Sequence, residues 1–259
     1  MNSGSLVVFN ETNGIAHVQL NRPEKLNALN WDLIEELSVT FKKIQNSPNI
    51  RCVVISSSTP KAFCAGADLS ERLQMTEEKV VETLSRIGNM INALEQIEVP
   101  SVAVLNGIAF GGGLELALAC DLRISSPTAS MGLTETSLAI IPGAGGTQRL
   151  PRIIGEAKAK EFIFMARKLS GIEAKACGLV NEVNDNPLET ALLWAKELCD
   201  KGPLALRLAK KAISQGRHLE LSDALGFERE CYLELLSSKD RVEGLKAFVE
   251  KRKPNYQGN

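Results

Sequence analysis

Apolar positions along the chain change their period several times, and each change marks an element. Leu6-Val7-Val8-Phe9 and Ile15-Ala16-His17-Val18-Gln19-Leu20 are short runs of β type that flank Glu11-Thr12-Asn13-Gly14, a hairpin signal, so an antiparallel start is expected. Asn30 is placed to cap a helix in which Leu33, Ile34, Leu37, Phe41 and Ile44 recur at helical spacing and which ends near Ser47-Pro48. Cys52-Val53-Val54-Ile55 then reads as a buried strand, completing a β-α-β crossover. A second cycle has a helix from about Thr76 to Ile97, Pro100 as punctuation, Ser101 to Leu105 as a strand, a glycine turn and a helix from Leu114. A third has Leu122 to Ser125 as strand and a helix around Ala157 to Ala166. Repeated units of this kind predict an α/β core with parallel strands.

Beyond Asn186-Pro187 the pattern becomes helical, with Leu192, Ala195, Leu198 and then Leu204, Leu208, Ile213 at helical spacing, interrupted by Gly202-Pro203. The predicted division is therefore a core over 1–195 and a helical region over 196–259. Leu221, Leu225, Glu228, Tyr232, Leu235 and Leu236 give the tail helix a broad apolar stripe, suited equally to covering the core or to facing another subunit. There is no low-complexity tract and no repeat of fixed period.

The 259 residues suffice to bury a substantial interior. With 30 basic and 31 acidic residues the net charge is -1, which supplies no general field for nucleic acid or an anionic membrane, so any anionic ligand must be held by local charge. The six cysteines form no C-x-x-C pair, and several sit in apolar runs, so all are expected to be reduced and buried. Met1 to Asn10 lacks the basic and apolar regions of a leader, and no stretch is apolar enough to span a bilayer. The expected location is the cytoplasm, a removed transit peptide being the alternative.

The chemistry concentrates in Gly111-Gly112-Gly113-Leu114-Glu115 and, 20 residues on from Glu115, Glu135 in Gly132-Leu133-Thr134-Glu135. Glycines let a backbone approach a ligand, and the first amides of a helix carry partial positive charge, so the triplet suits an oxyanion. Lys61 to Asp68, at a turn after a strand, can supply a second N–H to the same oxygen. Gly143 to Thr147 lacks the ending of a P-loop, and neither glycine cluster completes G-x-G-x-x-G, which excludes both nucleotide patterns. His17 and His218, the only histidines, stand near no second ligand, so no metal is expected; without G-x-S-x-G, a serine hydrolase is disfavoured too. Acid–base chemistry by carboxylates remains. Glu115 lies among Leu114, Leu116, Ala117 and Leu118, where burial raises a carboxyl pKa, and a neighbouring carboxylate raises one member of a pair further.

With its Gly-Gly-Gly-x-Glu and Ala65-Gly66-Ala67-Asp68 motifs, the chain resembles the crotonase, or enoyl-CoA hydratase/isomerase, superfamily from Arg22-Pro23-Glu24-Lys25 to Leu245-Lys246-Ala247-Phe248. The resemblance implies a spiral of β-β-α units with a C-terminal helical region that completes the acyl-CoA site and assembles trimers or hexamers. It implies an oxyanion hole from the amides of Ala67 and Gly112, Glu115 as base toward a water, and Glu135 as acid toward Cα. Coenzyme A is then part of the substrate, with no separate cofactor. Lys25 is implied near its phosphates, Ala65, Ala67, Asp68 and Leu69 along adenine and pantetheine, and Phe248 and Lys251 at a neighbour's CoA; Asp68 can equally cap the turn that follows it. Isomerases of the family commonly lack one of the two carboxylates, so the pair favours a hydratase over isomerisation or decarboxylation.

Phe63 to Arg72, Gly132 to Thr136 and Lys239 to Gly244 are most similar to the methylglutaconyl-CoA hydratase branch, which acts in leucine breakdown. Arg72 is then a candidate for a distal substrate carboxylate, a guanidinium being suited to bidentate pairing. An animal member of that branch binds AU-rich RNA through lysines on the first helix. Here that helix carries Asp32, Glu35 and Glu36, with Lys42 and Lys43 only near its end, so a non-catalytic RNA-binding role is disfavoured. The loops near Gln74 to Arg86 are expected to set the pocket's size.

Overall fold

A computed structural model describes residues 4–259; residues 1–3, part of the stretch considered for a leader, lie outside the described residues. Strands β1 (Val7–Thr12) and β2 (Ile15–Leu20) form the expected hairpin. Its turn residues Asn13 and Gly14 have φ of 53° and 78°, the left-handed region that an Asn-Gly pair tolerates. In α1 (Trp31–Gln45) the Asn30 side chain accepts the Leu33 N–H at 3.1 Å as predicted. Three β-β-α turns follow. They are β3 (Cys52–Ser57), β4 (Ala62–Cys64), α2 (Leu69–Arg72) and α3 (Glu77–Glu95); β5 (Ser101–Leu105), β6 (Ile108–Phe110) and α4 (Gly112–Leu118); and β7 (Leu122–Ser125), β8 (Ser130–Gly132), α5 (Gly146–Ile154) and α6 (Glu156–Phe164). After β9 (Leu169–Ser170), α7 (Gly171–Ala176) and β10 (Glu182–Val183) come α8 (Pro187–Cys199), α9 (Pro203–Gly216), α10 (Leu221–Glu234) and α11 (Lys239–Val249).

Within each turn the first strand joins a sheet of order β1-β2-β3-β5-β7-β10, and the second joins a sheet of order β4-β6-β8-β9. All pairings are parallel except β1 with β2 and β8 with β9. This is the spiral that the resemblance implied. The periodicity of apolar residues did not show β4, β6 or β8, because three residues are too few to establish alternation.

The long strands read as unbroken apolar runs because both faces are covered. Val53, Ile55, Ala103 and Leu105 join the main core with α1 and α3, while Cys52, Val54, Val102, Val104 and Ile124 pack on Ala191 and Ala195 of α8. The division drawn after residue 195 thus falls inside a helix that covers the sheet. All six cysteines are free; Cys177 and Cys199 are only partly buried, contrary to expectation, since they lie near helix ends at the edge of the packing. Of the two roles open to the tail stripe, covering the core is not the one observed: Leu221, Leu225 and Tyr232 of α10 and Leu236 just beyond it are exposed, and only Cys231 of that helix is buried. Among the described residues no helix is long and apolar enough to cross a membrane.

One buried cation fixes α4 in place. Arg123 on β7 donates from Nη1 to the Ala117 and Cys120 carbonyls at 3.3 and 2.7 Å, and from Nε to the Leu179 carbonyl at 2.8 Å. Those first two acceptors sit at the C-terminal end of α4, where positive charge satisfies free carbonyls. At the other end, Gly113 passes so close to β4 that a Cβ would collide with the Cys64 carbonyl. By contrast, a Cβ on Gly88 of α3 would meet nothing within 4 Å. Urea unfolding is therefore expected to show Gly113→Ala destabilised by about 1–3 kcal/mol through overpacking, and Gly88→Ala stabilised by roughly 0.5–1 kcal/mol through helix propensity. Equal midpoints for the two variants would contradict this account of the β4–α4 approach.

Candidate active site

The spiral brings the ends of β4 and β6 together, and each strand leads into a turn that only glycine permits. Gly66 has φ 95° after β4; Gly111 has φ 49° and ψ -125° after β6, where α4 begins. The two turns are adjacent, since the Ala67 nitrogen lies 3.8 Å from where a Cβ on Gly112 would stand. Neither the Ala67 nor the Gly112 N–H donates a hydrogen bond among the described residues, and both residues line one pocket. Leu84 and Ile87 of α3 and Leu138, Ile140 and Ile141 make its apolar walls. Glu115, Glu135 and Arg72 are its charged groups.

Glu115 sits one turn into α4 and is 2% exposed. Its Oε1 accepts the Ala144 N–H at 2.8 Å and the Gly146 N–H at 2.7 Å, while Oε2 accepts none among the described residues. Burial pushes its carboxyl above the usual range; the two amides, then the Arg149 guanidinium, oppose that shift. Hydrogen bonds to a charged group contribute about 1.5–3 kcal/mol each, enough for two amides to offset much of a carboxylate's desolvation.

Glu135 opens a 3₁₀ turn, Glu135–Leu138, and its carboxyl lies against Gly111, where a Cβ would stand 3.1 Å from Oε1. Its Oε2 is buried without a hydrogen-bond partner. Burial pushes this carboxyl up to about 7, its own backbone amide pulls down, the Glu115 carboxylate raises it further, and Arg72 pulls down. Two carboxyls in one pocket are thus both pushed up by burial but meet different surroundings: one is clamped by two amides of a neighbouring loop, the other has an oxygen, Oε2, that meets no donor.

Ala65, Ala67, Leu69, Arg72, Gly112, Glu115 and Glu135 are brought together as the sequence suggested. Asp68 is not: it caps α2, accepting the Ser70 N–H at 3.1 Å, and pairs with Arg22 at 2.8 Å. Ser70 and Arg22 hold its carboxyl down at about 2. The capping alternative is the one observed, because the residue follows the strand and opens a helix. Lys25 is exposed on a 3₁₀ turn one residue before Leu26, whose carbonyl accepts the Ala65 N–H at 3.0 Å. Phe248 and Lys251, at the end of α11, are exposed and line none of this pocket. The amides of Ala144 and Gly146, and Arg149 behind them, were not anticipated. Their signal is the glycine-rich run Gly143 to Thr147 beyond Glu135, which matches no phosphate loop and by itself names no partner for Glu115. His17 pairs through Nε2 with the Ser56 hydroxyl at 2.7 Å on the large sheet, away from the pocket.

The chain is similar to known proteins over nearly its whole length. The model of a family described as enoyl-CoA hydratase/isomerase matches residues 10–259. Mouse mitochondrial methylglutaconyl-CoA hydratase is 47% identical over 254 residues, covering 96% of this chain and 81% of that protein. Human mitochondrial enoyl-CoA hydratase domain-containing protein 2 is 42% identical, covering 95% of this chain and 86% of that one. The crystal structure of an enoyl-CoA hydratase from Bacillus anthracis superimposes with a TM-score of 0.96 at 46% identity, covering 98% of this chain and all of that one.

A carboxyl whose pKa rises on folding makes the folded state bind a proton that the unfolded state has lost, so its contribution falls as pH rises between the two pKa values. For Glu135 that window runs from the ordinary value of 4.5 to about 7. Glu135→Gln, which cannot ionise, is expected to gain stability relative to the parent as pH climbs through this window and to hold that gain above it. Thermal midpoints of the two proteins, taken every half unit of pH, check this; a constant difference would mean that Glu135 titrates normally.

Proposed function

The chain belongs to the enoyl-CoA hydratase/isomerase family, and we propose that it adds water reversibly across the 2,3 double bond of a short or branched 2-enoyl-CoA. The observation that carries this reading is one pocket holding two carboxyls, one clamped by amides and one with an oxygen that meets no donor, beside two N–H groups that donate to nothing among the described residues. In the proposed reaction the Ala67 and Gly112 N–H groups receive the thioester oxygen and stabilise the negative charge that grows on it. Glu115, through the oxygen not taken by amides, accepts a proton from a water whose oxygen bonds to C3. The electron pair of the double bond shifts toward the thioester, giving an enolate. Glu135, in the protonated form that a carboxyl pushed up to about 7 retains in part at neutral pH, then delivers its proton to Cα. Dehydration runs the same steps backward. The two glutamates titrate as a pair, so a rate profile reports their joint behaviour.

A second carboxylate in the substrate is the finer proposal. Arg72 lines the pocket, and no carboxylate among the described residues lies within ion-pair distance of its guanidinium. A distal carboxylate, as 3-methylglutaconyl-CoA carries, would give it a bidentate partner. The name of the mouse relative supports trying that thioester first. We also propose that the exposed apolar side of α10 is covered in a homotrimer or hexamer, and that Phe248, 85% exposed, and Lys251 there meet a neighbour's acyl-CoA. Six unpaired thiols suit a reducing compartment such as the cytoplasm.

Loss of enoyl-thioester ultraviolet absorbance measures the activity directly. Glu115→Gln and Glu135→Gln should each lower kcat on crotonyl-CoA by about 10²–10⁴-fold, the usual worth of a positioned acid or base. Parent-like rates in either variant would remove that residue from the mechanism, and no turnover by the parent protein on either thioester would overturn the hydratase reading. Arg72→Ala should weaken kcat/KM for 3-methylglutaconyl-CoA by about ten- to hundredfold, the equivalent of one charged hydrogen bond, while leaving crotonyl-CoA nearly unaffected. Equal losses on both substrates would deny Arg72 its selectivity.

A further inference from the structure

Behind the pocket, Arg149 of α5 is 8% exposed and each of its three guanidinium nitrogens donates a hydrogen bond. Nη2 donates to Glu95 Oε2 at 2.6 Å and to Asn92 Oδ1 at 2.7 Å, both on α3, and Nε donates to the same Glu95 oxygen at 3.2 Å. Nη1 donates to the Ala144 carbonyl at 2.9 Å. Ala144 is therefore gripped twice: its carbonyl by Arg149, its N–H by Glu115. The next residue, Gly145, has φ 107°, and a Cβ there would collide with Nη1, so this turn takes its shape around the guanidinium. One unbroken chain of hydrogen bonds runs from Glu95 through Arg149 and Ala144 to the carboxylate in the pocket.

We propose that Arg149, anchored by Glu95 and Asn92, is a positioning residue that sets the Ala144–Gly146 amide clamp and so aims Glu115 at its water. This rests on the hydratase reading for its kinetic consequence, though not for the clamp itself. An ion pair whose acid is 38% exposed adds little net stability, so its value here lies in geometry. The fork is essential to that geometry: a guanidinium reaches Glu95, Asn92 and the Ala144 carbonyl together, whereas a lysine ammonium on the same helix serves one side or the other. A misplacement of about 1 Å at a reacting group costs on the order of a hundredfold in rate.

A groove lined by Asn92, Glu95, Gln148, Arg152 and His218 opens beside Arg149, which gives a small cation a way in. Arg149→Ala is accordingly expected to lower kcat on crotonyl-CoA by about ten- to hundredfold with KM within about threefold, and millimolar guanidinium is expected to restore much of the loss. Arg149→Lys should lie between alanine and the parent. A rate unchanged in folded Arg149→Ala, or a fall in kcat, KM and thermal midpoint together without rescue, would overturn the proposal. A second readout needs no turnover. With carbon-13 in the glutamate carboxyls, the Glu115 resonance should titrate higher in Arg149→Ala than in the parent, because amide donors and a positive charge are both withdrawn from it. The other charged groups facing Glu115, Glu135 and Arg72 across the pocket, are unchanged by the substitution. An unmoved Glu115 titration would sink the positioning role even if the thioester proved to be the wrong substrate, and a parent inactive on crotonyl-CoA with a shifted titration would sink only the hydratase reading.

Discussion

A carboxylate buried on an apolar helix persists only if donors meet it, and here the amides of Ala144 and Gly146 do so at Glu115. Much of the surrounding structure follows from that requirement. The loop must bend tightly enough to turn both N–H groups to one oxygen, which calls for glycine at 145 with its positive φ. It must also be held from behind, which Arg149 does through the Ala144 carbonyl. Because one oxygen of Glu115 is occupied in this way, the other is left for the pocket.

The spiral explains how distant segments meet. Each turn of the chain places a long strand in one sheet and a short strand in the other, so the short strands β4, β6 and β8 stack side by side. Their ends release Gly66, Gly111 and the segment leading to Glu135 at neighbouring points. Two undonated amides come from two successive turns, and the two carboxyls from the second and third. Arg123, fixing the end of α4, and the contact of Gly113 with β4 keep the helix that carries Glu115 from sliding.

Electrostatic asymmetry is the other product of this packing. Glu115 is the more deeply buried carboxyl, yet amides and Arg149 work against its protonation; Glu135 is less buried, but its Oε2 meets no donor and its carboxyl is pushed to about 7. Amide donors thus oppose the effect of burial at Glu115, while at Glu135 one oxygen has no donor to oppose it.

From the residues alone came the α/β class, the hairpin, the Asn30 cap, the long helices and the carboxylate pair, because hydrophobic period, capping and a glutamate in an apolar helix are local signals. The family resemblance added the β-β-α spiral and the amides of Ala67 and Gly112. What sequence could not supply were the short strands, visible only through pairing, and the loop at 143–146 as the partner of Glu115, about thirty residues away along the chain. Asp68 shows the same limit in reverse: its motif marked the pocket correctly, but only the fold placed Arg22 against it and turned its carboxylate inward. Periodicity records which face of an element is buried; which donor meets which acceptor depends on how separate elements pack, and that is decided by the tertiary structure.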